Sequence, residues 1–348
     1  MTAYRVPMPG SLPLHTSRLV VRMMRPDDAA VHTAYRNDPD IARHQLWDLP
    51  YPMDDAVSKL TEQQGQDDLI VGGWTTMAIE LDGEVIGDIV TNVDETGGTS
   101  EIGFTLGKQH HGHGYASEAA RAVTEQLFRR VGVGRVYGEL DPVNVASARV
   151  LESAGLALEG VTKRSFLWRG EWTDNMSYAA TRDEYEDWMA RPTGTPSEVR
   201  LVEVESSTAH DWTKLAAHGS ESRFVATVAQ SFTDALFPEV VDGAPVQPWL
   251  RGVLADGERA GFVMTAEVTE HHTEPYLWRL LVDRRHQRRG IGRRVAEQLI
   301  ERYRAAGHPS LLVGWVDGPG SPRSFYEQLG FVPTGEIVDG EIEARLPL

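Results

Sequence analysis

The chain has 348 residues, of which 41% are hydrophobic and 24% charged, and this composition allows two ordinary globular domains. Its formal net charge of −17 argues against nucleic acid as a partner, and no stretch approaches the roughly 18 apolar residues that a membrane span needs. The absence of cysteine excludes disulfides, a cysteine nucleophile and cysteine zinc sites. Because the first residues lack the pattern of a signal peptide, we expect a cytoplasmic protein with no membrane partner.

The two halves of the chain show the same order of predicted elements. A strand is predicted at 18–23 in the first half and at 199–204 in the second, and helical stretches follow each. A hairpin comes next in each half, because Asp82-Gly83 and Asp256-Gly257 each separate two apolar runs. A strand, a glycine-rich loop and a helix then complete each half.

The segment 191–198 is predicted to be an interdomain linker. It contains two prolines and a glycine and shows no apolar periodicity. We therefore predict one domain at 1–190 and a second at 199–348. The acidic charge is concentrated in the first, which carries 17 basic and 29 acidic residues, whereas 191–348 carries 17 and 22.

The glycine loop itself occurs twice, as Q-x-x-G-x-G at 109–114 and again at 287–292. A strand-like run precedes each loop, at 102–106 and 277–282, and a helix-like run follows it. Strand, glycine loop and helix together direct unpaired backbone N–H groups and the positive end of a helix dipole at one point. This arrangement predicts a phosphate or pyrophosphate site in each half.

The repeat extends beyond the loop. The residues 150–156 parallel 325–331, a match that pairs Leu151 with Tyr326, and both segments predict a helix that ends at glycine. Two such units indicate an internal duplication. The alternative is a Rossmann dinucleotide site, but neither loop has the third glycine of G-x-G-x-x-G or follows the first strand of its domain.

Together these motifs resemble the GNAT superfamily of acyl-CoA N-acyltransferases, in tandem. The first half resembles the ribosomal-protein N-terminal acetyltransferase branch in the segments 14–19, 25–29, 101–104, 112–119, 144–147 and 170–174. The second half resembles bacterial polyamine acetyltransferases in the segments 276–280, 287–292, 325–327, 333–336 and 340–342. The resemblance implies an α/β (α+β) fold in which each half is a mixed, mostly antiparallel sheet flanked by helices.

The resemblance also implies a function, the transfer of an acetyl group from acetyl-CoA to a primary amine. Because there is no cysteine, we favour direct attack by the amine in a ternary complex. The acidic balance favours a small cationic acceptor such as a polyamine, an aminoglycoside-like antibiotic or an amino-sugar, so antibiotic modification is one expected role. The acyl group could also be larger than acetyl.

Two alternatives remain open at this point. One half could be catalytic while the other is an inactive scaffold or acceptor binder, or the protein could bind a drug or sense acyl-CoA without turnover. The halves could pack as a pseudo-dimer in a monomer, or the chain could form a homodimer.

By resemblance, the glycine loops and the strands before them hold the cofactor. The predicted contacts in the first half are Leu106, Gln109, His111, Gly112, His113, Gly114, Tyr115, Ala116 and Asn144. Those in the second half are Val282, Gln287, Arg288, Arg289, Gly290, Ile291, Gly292 and Arg293. The clustered histidines of the first loop have no carboxylate at ligand spacing, so we interpret them as neighbours of the phosphate and predict no metal.

Catalytic roles also follow from the resemblance. Glu101 is placed to relay the proton of the amine, and Ser147 to protonate or hydrogen-bond the departing sulfur. Tyr326 is placed to donate a proton to the thiolate in the second half, where Glu267 is the candidate base. Each has a purely structural alternative, because Glu101 could face solvent and Tyr326 could belong to the core.

The sequence also contains one departure from the polyamine branch. That branch carries an asparagine where this chain has Pro319, whose side chain cannot hydrogen-bond a cofactor. The first half retains Asn144 at this position, although the amide could equally cap a helix. We expect the second half to retain cofactor binding because its loop is intact.

Overall fold

The computed structural model describes residues 12–241 and 243–348. These residues divide into two compact units, one ending at Met189 and the other beginning at Ala190. The predicted linker segment lies against the second unit. Gly194 O accepts a hydrogen bond from Arg289 Nε (2.7 Å), and Pro196 O accepts one from Arg294 Nη1 (2.7 Å). This segment is therefore held by side chains of the second glycine loop and the helix after it.

The first unit is built on one sheet. Its strands are β1 (Leu14–His15), β2 (Leu19–Met23), β3 (Gly73–Leu81), β4 (Glu84–Val93), β5 (Thr99–Leu106), β6 (Arg135–Leu140), β7 (Ala157–Trp168) and β8 (Glu171–Thr181). Across the described residues the order is β1-β2-β3-β4-β5-β6-β8-β7, and only β5 and β6 run parallel. The sequence predicted β2 but missed the two-residue strand β1.

Helices cover both faces of this sheet. They are α1 (Ala29–Arg36), α2 (Pro39–Ala42), α3 (Met53–Glu62), α4 (Tyr115–Gln126), α5 (Val145–Ser153) and α6 (Arg182–Met189). The main core lies on the α4 side, where Ala120 and Val123 pack against Met77 and Ile102. A smaller cluster on the other face joins α1 and α3 to β3.

The second unit repeats this plan with a seven-stranded sheet in its described part. Its strands are β9 (Val199–Val202), β10 (Val240–Val241), β11 (Ala244–Pro245), β12 (Gln247–Ala255), β13 (Glu258–Glu267), β14 (Tyr276–Val282), β15 (Ser310–Trp315), β16 (Val332–Val338) and β17 (Glu341–Pro347). The order is β16-β17-β15-β14-β13-β12-β9, with β10 and β11 forming a separate pair. The predicted fold class, two α/β domains with mixed, mostly antiparallel sheets, is confirmed.

The helices of the second unit are α7 (Ala209–Trp212), α8 (Val228–Leu236), α9 (Ile291–Ala305) and α10 (Arg323–Gln328). Helix α9 packs Val295, Leu299 and Tyr303 into the main core of this unit. No helix among the residues described in either unit is long and apolar enough to cross a membrane.

Both predicted hairpins are confirmed, and their turns explain them. Asp82 and Gly83 have φ values of 51° and 87°, and Asp256 and Gly257 have 50° and 87°. Two successive positive φ values define the tight turn whose twist matches that of the flanking strands. The Asp-Gly pair therefore sets the β3–β4 and β12–β13 connections locally.

The two parallel strands of each unit stop pairing before they end, and we call the opening between them the cleft. Registered pairing of β5 with β6 ends at Glu101 and Tyr137, although β5 continues to Leu106 and β6 to Leu140. In the second unit the pairing of β14 with β15 ends at Leu277. Beyond these points the facing backbone groups have no ladder partner, so an extended amide-containing chain can pair with them.

Candidate cofactor and active sites

The first glycine loop ends at the start of α4. Gly112 and Gly114 have φ values of 78° and 79°, in the left-handed region that glycine adopts at low cost. Gly114 occupies the N-cap position and no side chain caps the helix, so N–H groups of the first turn lack helical partners. A Cβ atom built on Gly112 would meet nothing within 4 Å, and one built on Gly114 would meet only Arg18 Nη2, at 3.6 Å. Open space thus adjoins N–H donors at a positive helix end, and this fits a pyrophosphate.

The second loop has the same local geometry. Gly290 has a φ of 79° and occupies the N-cap position of α9, again without a side-chain cap. A Cβ atom on Gly290 would also meet nothing within 4 Å. Because both loops present uncapped N–H donors beside open space, the residues of both domains fit the pyrophosphate of CoA.

The structure aligns the two loops in a different register from the one that their sequence motifs indicate. The motifs pair Gly112 with Gly290, but the glycine that precedes the helix in the first domain is Gly114. In the second domain the left-handed position two residues earlier is occupied by Arg288, with a φ of 61°. Glycine is therefore optional at that position, and the glycine pattern alone does not identify the capping residue. The predicted pairing is wrong by two residues.

A side-chain contact common to both domains supports the corrected register. The His111 ring Nε2 lies 3.0 Å from Leu106 O, and Gln287 Nε2 donates to Val282 O at 3.3 Å. Each contact ties the loop to the last residue of the preceding strand. His111, and not Gln109, is therefore the counterpart of Gln287.

The corrected register narrows the predicted cradle in the first domain. Gln109 lies in a short 3-10 turn before the loop. The backbone N–H of His111 already donates to Lys108 O at 3.2 Å. The predicted donors that remain are Gly112, His113, Gly114, Tyr115 and Ala116. The His113 ring stacks on Tyr115, with 5.6 Å between ring centres.

The arginines of the second loop have different surroundings. Arg289 is buried, and its Nε donates to Gly194 O while its Nη1 lies 2.7 Å from His286 Nδ1. The Arg289 side chain is therefore used in holding the loop, which argues against the predicted phosphate contact. Arg288 and Arg293 are exposed and remain candidates for contacts with phosphate oxygens.

A buried carboxylate positions the first loop, and sequence reasoning assigned it no role. Glu118 on α4 accepts hydrogen bonds from Thr16 Oγ1 (2.6 Å), Ser17 Oγ (2.8 Å) and Arg18 Nε (2.7 Å). Arg18 Nη1 also donates to His113 O at 2.9 Å. Although burial alone raises the pKa of Glu118, these hydrogen bonds lower it to about 2. We call Thr16, Ser17, Arg18 and Glu118 the carboxylate clasp.

Asn144 and Ser147 stand together at the start of α5. Asn144 Oδ1 accepts a hydrogen bond from Ser147 N at 3.1 Å, which caps the helix. The capping bond uses the oxygen of the side chain and leaves its Nδ2 as a donor. The structural alternative raised for Asn144 is therefore observed, and it is compatible with a cofactor contact.

The predicted pairing of Leu151 with Tyr326 is confirmed. Leu156 N donates to Leu151 O, and Phe331 N donates to Tyr326 O, both at 3.1 Å. The glycines between them have φ values of 99° and 98°. The two helix ends therefore superimpose in register, and Tyr326 occupies the position of an apolar residue in the first domain.

Tyr326 lies among aromatic side chains. Its ring stacks on Trp315 at 5.8 Å and contacts Phe325 and Phe331 edge to face. The side chain is 7% exposed, and this burial raises the pKa of its hydroxyl. The Tyr326 hydroxyl is thus protonated at physiological pH, and the ring belongs to the core, as the structural alternative predicted.

Glu101 lies at the last registered pair of β5 and β6, where the cleft opens. Tyr137 Oη lies 3.5 Å from its carboxylate. Burial, followed by repulsion from Glu139, raises the pKa of Glu101. A carboxylate with a raised pKa at the mouth of a cleft is a stronger base than an exposed one, and such perturbed groups are common in active sites.

Glu267 has a different environment. Arg302 donates to both of its carboxylate oxygens (3.0 and 2.8 Å), and Tyr303 Oη donates at 2.6 Å. Burial favours a higher pKa for Glu267, but these hydrogen bonds outweigh it and lower the pKa. A carboxylate with saturated acceptors and a lowered pKa is a poor base, so the geometry does not support the predicted role.

The counterpart of Glu101 in the second domain is Tyr276. It forms a registered pair with Leu312, and its Oη donates to Glu341 at 3.4 Å. Sequence reasoning used both residues only as parts of the resemblance and assigned no role to either. Their position, beside the point where β14 and β15 separate, brings a phenol and a carboxylate together at this cleft.

The comparisons with known proteins agree with this geometry. A model of the acetyltransferase (GNAT) domain matches residues 18–157, and a model of the acetyltransferase (GNAT) family matches residues 211–331. One match falls in each structural unit, and together the matches span most of the chain.

Individual relatives match about half of the chain. The uncharacterized N-acetyltransferase p20 of Bacillus licheniformis is 28% identical, covering 49% of this chain and 97% of that protein. The FsC-acetyl coenzyme A-N(2)-transacetylase of Aspergillus fumigatus is 26% identical, covering 41% of this chain and 64% of that protein. A GNAT-family acetyltransferase structure from Bacillus anthracis is 26% identical with a TM-score of 0.43, covering 49% of this chain and 98% of that chain.

The two family matches, one in each unit, and the same sheet plan in both units lead to one conclusion. The chain belongs to the GNAT acetyltransferase family, with two of its domains in tandem, and is an acetyl-CoA-dependent N-acetyltransferase.

Proposed function

We propose that the first domain transfers an acetyl group to a primary amine of a small cationic acceptor, with Glu101 as the general base. The observation that carries this proposal is the raised pKa of Glu101 at the point where β5 and β6 separate. A base whose pKa approaches the working pH combines a deprotonated population with a high proton affinity.

The other residues of the domain have separate roles in this proposal. The N–H groups of Gly114, Tyr115 and the following turn hold the pyrophosphate, and Asn144 Nδ2 contacts the arm that enters the cleft. Bound acetyl-CoA supplies the acetyl thioester. Glu101 accepts the proton of the amine, and Ser147 Oγ donates a hydrogen bond toward the sulfur.

The charge of the domain supports a cationic acceptor. The carboxylates of Glu101 and Glu139 lie on neighbouring strands at the cleft, and repulsion from Glu139 adds to burial in raising the pKa of Glu101. An ammonium ion between them relieves that repulsion. Polyamines, aminoglycoside-like antibiotics and amino-sugars all carry such groups, and the proposal includes all three classes.

The second domain is proposed to bind acyl-CoA and to contribute little turnover. Its loop fits the pyrophosphate, but Pro319 and Pro322 replace Asn144 and Ser147, and Glu267 is neutralised by Arg302. Tyr326 and the Tyr276–Glu341 pair are the groups through which this domain could still act. Because the loop is intact while these groups are replaced or paired, the second candidate function of this domain is a regulatory or acceptor-binding role.

The test separates binding from turnover in each domain. Acetyl-CoA is titrated calorimetrically into wild type, Gly114→Trp and Gly290→Trp, with Gly83→Trp and Gly340→Trp as controls. The controls are hairpin-turn glycines with similarly positive φ values, at which a Cβ atom would meet nothing within 4 Å. We expect two sites, each lost only with its own loop variant, and release of CoA thiol with cationic amines that Gly114→Trp abolishes. Turnover lost in Gly290→Trp instead would contradict the assignment of catalysis to the first domain.

A further inference from the structure

One row of side chains crosses the sheet of the first domain at the mouth of its cleft. Trp74 on β3 is registered with Asn92 on β4, Asn92 with Glu101 on β5, and Glu101 with Tyr137 on β6. Registered partners on neighbouring strands project from the same face of a sheet. This face is opposite the α4 core, because the adjacent residue Thr75 and then Met77 alternate to that side.

Trp74 differs from most tryptophans of the chain. It is 49% exposed, and no arginine in the described part of the structure lies over its ring. Among the described residues, an arginine guanidinium lies over the rings of Trp47, Trp168, Trp212, Trp249 and Trp278. The electron-rich face of an exposed tryptophan attracts cations. Trp74 therefore offers such a face at the cleft, and no described residue places a cation over it.

The residues between the aromatic ring and the base are polar and small. Asn92 separates Trp74 from Glu101, and its side-chain oxygen can accept a hydrogen bond from an ammonium group. Next to Glu101 on the same face of β5 is Gly103, where a Cβ atom would meet only Val90 Cγ2, at 3.1 Å. Along this row the residue between the ring and the carboxylate is thus the polar Asn92, and the neighbouring position on β5 carries no side chain.

We propose that this row is a subsite for a linear diamine, with the reacting amine at Glu101 and the distal ammonium over Trp74. The inference rests on the proposed function and names its acceptor more closely. Neighbouring strands lie roughly 4.8 Å apart, so two strand spacings separate the two ends of the subsite by about 10 Å. Short diamines cannot reach both ends, whereas longer ones can. In this proposal Trp74 determines specificity for the length of the diamine and takes no part in the acetyl transfer.

The experiment compares linear diamines from 1,3-diaminopropane to 1,8-diaminooctane with the n-alkylamines of the same lengths. In wild type we expect kcat/KM to rise once the diamine spans the subsite and to exceed that of the matched alkylamine. Trp74→Ala should lower kcat/KM for the longer diamines by about 3- to 30-fold, the range of a cation–π contact of about 0.7 to 2 kcal/mol. Trp74→Phe should retain part of the effect.

Two controls define the result. Trp172→Ala removes another exposed tryptophan of the same domain and should change nothing. The KM for acetyl-CoA and the rate with 1,3-diaminopropane should be unchanged in Trp74→Ala. Equal losses for diamines and alkylamines would overturn the cation subsite, because they would identify an apolar contact. No loss would overturn it as well.

Direct binding separates this inference from the proposed function. 1,6-Diaminohexane is titrated calorimetrically into wild type and Trp74→Ala in the presence of CoA. Diamine binding that depends on Trp74 without any acetylation would retain the subsite and refute the catalytic role of the domain. Acetylation of amines without dependence on Trp74 would retain the function and refute the subsite.

Discussion

The two domains hold the start of the helix after the glycine loop with opposite charges. In the first, the carboxylate of Glu118 on α4 binds the segment before β2, including Arg18. In the second, Arg294 on α9 donates to the backbone carbonyl of Pro196 in the segment before β9. Both contacts join the helix after the glycine loop to the segment before the first long strand of the domain. The glycine loop is thus held in place in both domains, but by side chains of opposite charge.

The difference has an electrostatic consequence for the cofactor. In the first domain Arg18 neutralises the carboxylate that stands near the helix N-terminus. In the second domain the residue that makes the contact, Arg294, is itself cationic, and the exposed Arg288 and Arg293 add further positive charge near the helix N-terminus. Positive charge near a helix N-terminus attracts phosphate groups, so the second loop should bind CoA more strongly at low salt.

The largest expected effect concerns catalysis. Glu101→Gln should lower kcat for amine acetylation by about 10²- to 10⁴-fold, because a general base is removed, with an unchanged Kd for acetyl-CoA. Tyr276→Phe, at the equivalent position of the second domain, should leave this rate unchanged. Steady-state kinetics and calorimetry measure the two quantities. A Glu101→Gln enzyme with full activity would move catalysis to the second domain.

The pH profile follows from the same residue. The pKa of Glu101 is raised, so the wild-type kcat should fall on the acid side at a pH above the ordinary titration range of glutamate. The activity is present when the carboxylate is ionised and is lost as the pH falls through its pKa. Glu139→Gln removes one cause of the raised pKa and should move this limb to lower pH. An acid limb that does not move would exclude Glu101 as its source.

Glu118→Gln should destabilise the first domain by about 1–3 kcal/mol, since charged hydrogen bonds are lost from a buried group. Its pKa is lowered in the fold to about 2, so its stabilising effect is complete above the ordinary glutamate pKa and disappears as the pH falls toward 2. Urea unfolding between neutral and acid pH measures this dependence, and the variant should show less of it. Weaker acetyl-CoA binding at the first site only should accompany the change.

Glu267→Gln tests whether this carboxylate is structural. Because it pairs with Arg302 and accepts from Tyr303, the substitution should cost about 1–2 kcal/mol of stability. Amine acetylation and the affinity of either acetyl-CoA site should be unchanged. A large loss of kcat at unchanged stability would restore Glu267 as a base.

The smallest effect is expected at the second loop. Arg288→Ala and Arg293→Ala should each weaken acetyl-CoA binding at the second site about 2- to 5-fold and reduce its salt dependence, because both are exposed. Arg289→Ala should instead lower the unfolding midpoint, since it removes the bond to Gly194 O. Calorimetry at two ionic strengths and thermal unfolding distinguish the two patterns.

Much of the fold was predictable because its signals are local. The Asp-Gly turns, the strand–loop–helix order and the helices ending at Gly155 and Gly330 each depend on a few adjacent residues, and their predicted positions agree with the structure. The pairing of Leu151 with Tyr326 followed from such a helix end. The family resemblance depended on the same local motifs.

Only the tertiary structure decided the site in detail. The loop register depends on which residue begins the helix, and the left-handed position before it accepts glycine in one domain and Arg288 in the other. The carboxylate clasp joins residues about 100 positions apart in the chain. The pairing of Glu267 with Arg302 likewise depends on packing of a helix on a strand. Sequence patterns determine local geometry and periodicity, whereas partners distant in the chain are chosen by the packing that brings them together.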